Sequence, residues 1–258
     1  MRVFVCIKQV PDTETRIKLS SDKQSIDPTG IKWIINPYDE FAIEEAIRFK
    51  EAGSDIRITA VTIGPKARVN NALLTAMAMG ADDALLINTS ENLDANTSAK
   101  TLAEAIKKEG DASLIYCGKL AIDGNTAAVS QMLAEFLDIP HASVVSKIEY
   151  QSGHILAERE VEGGTRETFK LTLPALIAAN KGLNKPRFPS LPGIMKAKKK
   201  PVVEVSLEEL GIETTGVKVK FANYSLPEEK PPCKIIDGEP AAQVDELIQL
   251  LQNEAKII

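Results

Sequence analysis

The run YCGKLAIDGNTAAVSQMLAEFL, from Tyr116 to Leu137, passes from an apolar segment through Asp123, Gly124, Asn125 and Thr126 into an apolar pattern of helical spacing. A helix N-terminus at that junction offers unpaired backbone N–H groups and a partial positive charge, both of which attract phosphate, and Gly124 lets the backbone approach an anion closely. Gly124 to Val129 is therefore a candidate phosphate cradle. Asp123, Asn125 or Thr126 could equally serve as a helix cap, and spacing alone favours that plainer reading. INPYDEFAIEEA (Ile35 to Ala46) raises the same choice: Asn36 suits an N-cap, Pro37 suits the first helical position, and Asp39 with Glu40 complements the helix dipole. Asn36 is expected near the top of the first strand's crossover, on the same side of a sheet as Asp123.

A third constellation is the run KGLNKPRFPSLPGIMKAKKKP. Pro186, Pro189, Pro192 and Pro201 oppose regular structure there, so the segment is expected as an exposed loop. Leu191, Ile194 and Met195 precede the charges of Lys196, Lys198, Lys199 and Lys200. A stiffened loop pairing apolar anchors with charge has the makings of a docking element, unless its apolar residues fold back onto the domain. Catalytic signatures are absent: there is no GxxxxGK[ST], no GxGxxG after a strand, no GxSxG, no HExxH and no SGGxDS-type loop, and His141 and His154 are the only histidines.

The elements that would position these residues follow a rhythm. VFVCIKQV (Val3 to Val10), IRITAVTIG (Ile56 to Gly64), DALLIN (Asp83 to Asn88) and ASLIYCG (Ala112 to Gly118) are apolar on both faces, as buried parallel strands require. Helices are predicted near Tyr38–Glu51, Ala67–Met79, Thr97–Glu109 and Thr126–Leu137; in the last, Val129, Met132, Leu133, Phe136 and Leu137 form one stripe. This alternation implies an α/β fold with a doubly wound, mostly parallel sheet of Rossmann type, whose ligands bind beyond the carboxyl ends of the strands. HILAEREVEGGTRETFKLTL adds an antiparallel hairpin around Gly163 and Gly164, and ALIAAN (Ala175 to Asn180) a further strand. The chain divides into a nucleotide-binding domain over 1–201, with the loop 180–201 included, and an extended C-terminal arm over 202–258 ending in a helix. The arm is too thin to hold its own core and is expected to lie on another surface.

A chain of 258 residues can bury a sizeable core. Its 31 basic against 36 acidic residues give a net charge of -5, no overall case for nucleic acid binding. Cys6, Cys117 and Cys233 are odd in number and widely spaced, which argues for a reducing compartment and against a disulfide or metal framework. RVFVCIKQV is too short for a signal-peptide core, and no apolar run reaches the roughly 18 residues of a membrane span, so a soluble, cytoplasmic protein is expected.

IKQVPDTET, INPYDEFAIEEA, TAMAMGADDALLI, CGKLAIDGNTAAVSQMLAEFL, EREVEGG and LNKPRFPSLPGIMKAKKKP, in that order, closely resemble the β (small) subunit of electron transfer flavoproteins over nearly the whole chain. The resemblance implies an electron carrier rather than an enzyme: a heterodimer with an α subunit that holds most of an FAD. It would take electrons from acyl-CoA dehydrogenases of fatty acid β-oxidation and pass them to a membrane quinone oxidoreductase. It also implies a structural AMP in this subunit, touching Cys6, Asn36, Pro37, Tyr38, Asp39, Ile63, Gly118, Lys119, Ala121, Asp123, Gly124, Asn125, Thr126, Ala127, Ala128 and Val129, with the phosphate on the backbone of Ala127 to Val129. Tyr38 and Thr13 align with positions approaching the flavin, and Glu167 with a glutamate near it, although the turn EGGTRET is one residue longer than usual. Dehydrogenase recognition falls on Leu191, as inserting anchor, with Pro192, Ile194, Met195, Lys196 and Lys198.

Ala127, Ala128 and Val129 stand where many relatives carry Asn, Gln and Thr, so only backbone donors remain for the phosphate. KQVPDTET and DGNTAAV lean toward a bifurcating branch of the family with a second FAD in place of AMP. NPYDEFAIEEA, IMKAKKKP and the ending NEAKII lean toward the respiratory, AMP-binding branch. A homodimeric nucleotide-binding stress or signalling domain would share the sheet but lack the Pro-rich loop and the long tail.

Overall fold

A computed structural model describes residues 1–258 apart from 54, 111, 215, 216 and 231. The chain forms β1 (Arg2–Cys6), β2 (Gln9–Pro11), β3 (Trp33–Ile35), α1 (Pro37–Glu51), β4 (Arg57–Gly64), α2 (Lys66–Met79), β5 (Asp83–Asn88), α3 (Ala95–Glu109), β6 (Leu114–Gly118) and α4 (Val129–Leu137). There follow β7 (His141–Gln151), β8 (His154–Glu160), β9 (Arg166–Thr172), β10 (Ala175–Ala179), α5 (Leu191–Ala197), β11 (Val203–Ser206) and α6 (Pro240–Leu250).

One nine-stranded sheet runs β11-β5-β4-β1-β6-β10-β7-β8-β9, parallel except where β8 pairs antiparallel with β7 and β9. The doubly wound α/β class is as the sequence implies. Alternate residues of β1 enter two cores: Val3 and Val5 pack with α1 and α2, whereas Phe4 and Cys6 pack with α3 and α4. Period-2 alternation with apolar residues at both phases is what a sheet covered on both faces demands. From β1 the chain winds outward through β4 to β5, then returns to β6 on the other side of β1, so the strand order reverses between β1 and β6. In open α/β sheets such a reversal leaves a crevice at the carboxyl ends of the strands.

Several expectations are corrected. The predicted first strand breaks after Cys6, and Gln9–Pro11 instead pairs antiparallel with Trp33–Ile35, forming a small sheet above the end of β1. The helix expected from Thr126 begins at Val129. The strand β7 has no counterpart in the sequence reading; Val144 sits at φ 61 and the register slips between Val145 and Lys147, so a bulge breaks the alternation that would have revealed it. The Pro-rich segment contains a helix, α5, capped by the Ser190 hydroxyl, which accepts from Gly193 N–H, and started by Pro192 in its first turn. Residues 203–212, expected in the arm, belong to the sheet and core: β11 pairs with β5, and Val205, Leu207, Leu210 and Ile212 are buried. Beyond them Val219, Phe221, Leu226, Ile235, Val244, Leu247, Ile248, Ile257 and Ile258 are exposed. The Pro-rich link SLPEEKPPCK includes residue 231, which lies outside the described residues.

The α4 stripe is unevenly buried: Leu133 is wholly enclosed, whereas Val129, Met132, Phe136 and Leu137 lie at the core's margin. Leu133→Ala should therefore cost about 2–5 kcal/mol by leaving a cavity, and Met132→Ala clearly less, in urea denaturation. Equal losses at both positions would show that the two positions share one environment.

Candidate functional site

The carboxyl ends of β1 and β6 are joined by one buried carboxylate. Asp39, in the first turn of α1, accepts from Lys8 N–H at 2.7 Å, from Gly118 N–H at 3.0 Å and from the Asn36 side-chain amide at 2.9 Å. A Cβ on Gly118 would collide with the Asp39 carboxylate, so glycine there is set by close approach. Burial pushes the Asp39 carboxyl up to about 7, against the pull of its three donors toward the ionised form.

Asn36 occupies the N-cap position, but its side chain does not cap α1. Its amide donates to Leu120 O at 2.8 Å and its oxygen accepts from Ile122 N–H at 3.1 Å, tying down the loop after β6. That loop is closed on itself where Ala121 O accepts from Gly124 and Asn125 N–H, and Lys8 Nζ meets Asp123 at 2.7 Å. Lys119 lies over the Tyr38 ring, 4.8 Å from its centroid.

The loop then enters α4 through left-handed residues. Asn125 has φ 51 and Ala127 φ 47; asparagine tolerates this region, whereas for alanine it costs about 1–2 kcal/mol. Ala128 is the N-cap and supplies no side-chain cap, so the capping role weighed for Asp123, Asn125 and Thr126 is not found. Among the described residues, the backbone N–H groups from Thr126 to Gln131 have no protein acceptor, and the Met132 N–H, bonded to Ala128 O, is the first satisfied. Consecutive free donors at a strained helix entrance suit an anion, and with Ala127, Ala128 and Val129 lining the turn, the backbone must do the binding. Gly124 has open space around it and an unstrained φ, so its glycine is required by neither the fold nor a close contact within the chain.

Cys6 ends β1, and Cys117 lies beside it on β6; both are buried. A hydrogen bond with Cys6 and burial push the Cys117 thiol well above its usual range, so this floor is neutral and apolar. Ile63, near the end of β4, is half-buried on the same edge of the sheet. The residues singled out from Cys6 to Val129 thus gather at the switch point, and Thr13 is on an exposed turn after β2.

The electron transfer flavoprotein domain family matches residues 25–210. The electron transfer flavoprotein subunit beta of Bacillus subtilis is 45% identical over 262 aligned positions, covering 100% of both chains. The Syntrophomonas wolfei protein of that name is 38% identical, spanning 100% of this chain and 98% of its own, and that of Homo sapiens is 37% identical, spanning 100% and 99%. The chain belongs to the electron transfer flavoprotein family.

Within this electron transfer flavoprotein fold, the segment after β10 forms a second constellation. Leu191 is 80% exposed and Met195 63%, with Pro192, Lys196 and Lys198 also exposed. Ile194 instead packs on the core, and Ala197 is buried. Folding back thus claims Ile194 and leaves Leu191 and Met195 free. A Cβ on Gly193 would collide with Ala78 O, so α5 lies tight on the end of α2, and Lys200 Nζ donates to Ala81 O and Asp82 O at 3.1 and 3.0 Å. Glu167, on β9, bonds Arg159 across the strand pair at 2.9 Å.

The sequence reading missed Lys8, and it missed that Glu44 and Glu45 are buried on α1. Glutamates on an amphipathic helix ordinarily face solvent, so no local signal marks these two.

The unfolded Asp39 carboxyl titrates near 3.8 and the folded one near 7, so the folded chain binds the extra proton between those values. Asp39 therefore weakens the fold progressively as pH rises from about 4 to 7. Urea denaturation at pH 5 and pH 8 should show wild type losing more stability across this interval than Asp39→Asn, and matching pH profiles would contradict the assignment. The Asp39→Asn substitution should also cost about 1–3 kcal/mol by turning an amide donor toward other donors.

Proposed function

We propose that this chain is the β subunit of an electron transfer flavoprotein heterodimer, carrying electrons from acyl-CoA dehydrogenases to a membrane quinone oxidoreductase. The redox group is an FAD held mainly by the α subunit, and a structural AMP rests in this subunit. The observation that carries the AMP reading is the row of unpaired N–H groups from Thr126 to Gln131, braced from beneath by Asn36 and Asp39. Those donors would hold the phosphate. Cys6, Ile63, Gly118 and Lys119, with Asn36 to Asp39, would line the nucleoside side, and Tyr38, Thr13 and Glu167 would approach the flavin.

The chain binds and orients; the redox chemistry is supplied by the flavin when bound. On this reading the chain is a carrier without catalytic residues of its own. The exposed apolar residues beyond Ile212 support an arm lying on the α subunit. Leu191, Pro192, Met195, Lys196 and Lys198 would meet the dehydrogenase, with Ile194 seating α5. Among the described residues no helix is long and apolar enough to cross a membrane; the cytoplasm is the proposed location. A full-length match to β-subunit relatives leaves no support for a homodimeric stress or signalling domain.

Nucleotide content per heterodimer is the deciding measurement. One FAD and one AMP are expected; two FAD would replace this reading with the bifurcating one. AMP added at about a hundred times its dissociation constant to nucleotide-stripped protein should stabilise it by about 2.7 kcal/mol and raise its melting temperature by about 5 °C or more. No rise would count against a structural AMP. Leu191→Ala should slow reduction by an acyl-CoA dehydrogenase about tenfold at subsaturating carrier, as loss of a buried anchor does, with the flavin spectrum intact.

A further inference from the structure

The segment that leads into α5 is irregular, and bonds to α1 hold its orientation. From Asn180 to Ser190 the chain has neither helix nor strand; Leu183 packs in the core, but Phe188 is 95% exposed, so packing does not fix the stretch that leads into α5. Arg187 instead makes five hydrogen bonds to two carboxylates of α1. Its backbone N–H and Nε donate to Glu44 Oε2 at 3.1 and 2.8 Å, and Nη2 donates to Glu44 Oε1 at 2.9 Å. Nη1 and Nη2 reach Glu51 at 2.6 and 2.8 Å. Three residues earlier, the Asn184 amide donates to Phe41 O and to Glu45 Oε2, both at 2.9 Å.

Glu44 and Glu45 are only 5% and 4% exposed. A buried carboxylate is costly unless paired, so a helix carrying two of them at this place is matched to the segment above it. The planar guanidinium fork is suited to bind two carboxylates at fixed angles, which an ammonium cannot do. The other end of the segment is seated where Gly193 lies against Ala78 and Lys200 donates to the Ala81 and Asp82 carbonyls just after α2. Leu191 therefore stands between two fixed points.

We propose that Arg187 is a positioning residue: clamped by Glu44 and Glu51, it fixes the angle at which α5 presents Leu191 to a dehydrogenase. This rests on the docking role given above. A segment held in its bound form loses less conformational freedom on association, so the clamp acts on encounter and leaves electron transfer within the docked complex unchanged.

The test uses the assembled heterodimer carrying Arg187→Gln, Arg187→Lys, Glu51→Gln or Leu191→Ala, with an acyl-CoA dehydrogenase as electron donor. Arg187→Gln should raise KM for the carrier about tenfold with kcat and the rate of direct dithionite reduction within about twofold, as loss of preorganisation alone predicts. Amide hydrogen exchange should quicken over residues 186–197 and stay the same at the switch point. Arg187→Lys should recover part of the KM, since a point charge keeps the attraction but loses the fork. An unchanged KM or unchanged exchange in Arg187→Gln, alongside a raised KM in Leu191→Ala, would overturn the clamp and leave the docking role standing. An unchanged KM in Leu191→Ala would remove the docking role itself, and the clamp with it. If Arg187→Gln does not assemble, Glu51→Gln decides, because it leaves the buried Glu44 paired: a raised KM with faster exchange supports the clamp, and wild-type values refute it.

Discussion

The Asp39 carboxylate is the constraint on which the site depends. It takes N–H donors from the ends of two strands that lie on opposite sides of the strand-order reversal, and a third from Asn36. Removing it would leave the buried Gly118 N–H and the part-buried Lys8 N–H unpaired where the sheet opens. Gly118 is glycine because that carboxylate and the Tyr38 backbone lie where a Cβ would be. Asn36, aligned by the same contact, extends the brace to Leu120 and Ile122, so the loop that leaves β6 is held from a helix that begins more than 80 residues earlier.

From this brace follows the shape of the loop into α4. With its early residues fixed, the chain passes through two left-handed residues and starts the helix late, with free N–H groups where a cap would otherwise sit. Alanine in that conformation is strained, and the strain is sustained by the surrounding bonds. A loop left to its own preferences would start the helix earlier and satisfy its donors with Asp, Asn or Thr side chains.

Helix α1 connects the two functional regions. Its first turn braces the switch point, and Glu44, Glu45 and Glu51 further along hold the segment that carries Leu191. Glu45 also accepts from the Tyr150 hydroxyl at 2.9 Å, which in turn meets the Tyr116 hydroxyl at 2.5 Å, so the helix is bound to β6 and β7 as well. Buried polar networks of this kind fix one arrangement because each unpaired member is costly.

The sequence by itself determined the kinds and order of most elements, because the spacing of apolar residues is local: DALLIN is β5 to the residue, and Pro37 and Asn36 mark the start of α1. It also determined which residues lie at the carboxyl ends of the strands, and the family motifs named them. It did not reveal β7, whose bulge at Val144 destroys the alternation, nor β11, whose four residues read as strand only beside β5. Tertiary structure alone decided where α4 begins, that Asn36 braces a loop instead of capping its own helix, and that Glu44 and Glu45 are buried. The last two depend on partners far away in sequence, such as Leu120 for Asn36, 84 residues on, and Arg187 for Glu44, 143 residues on, and no local pattern encodes a bond whose two ends meet only when the sheet has formed.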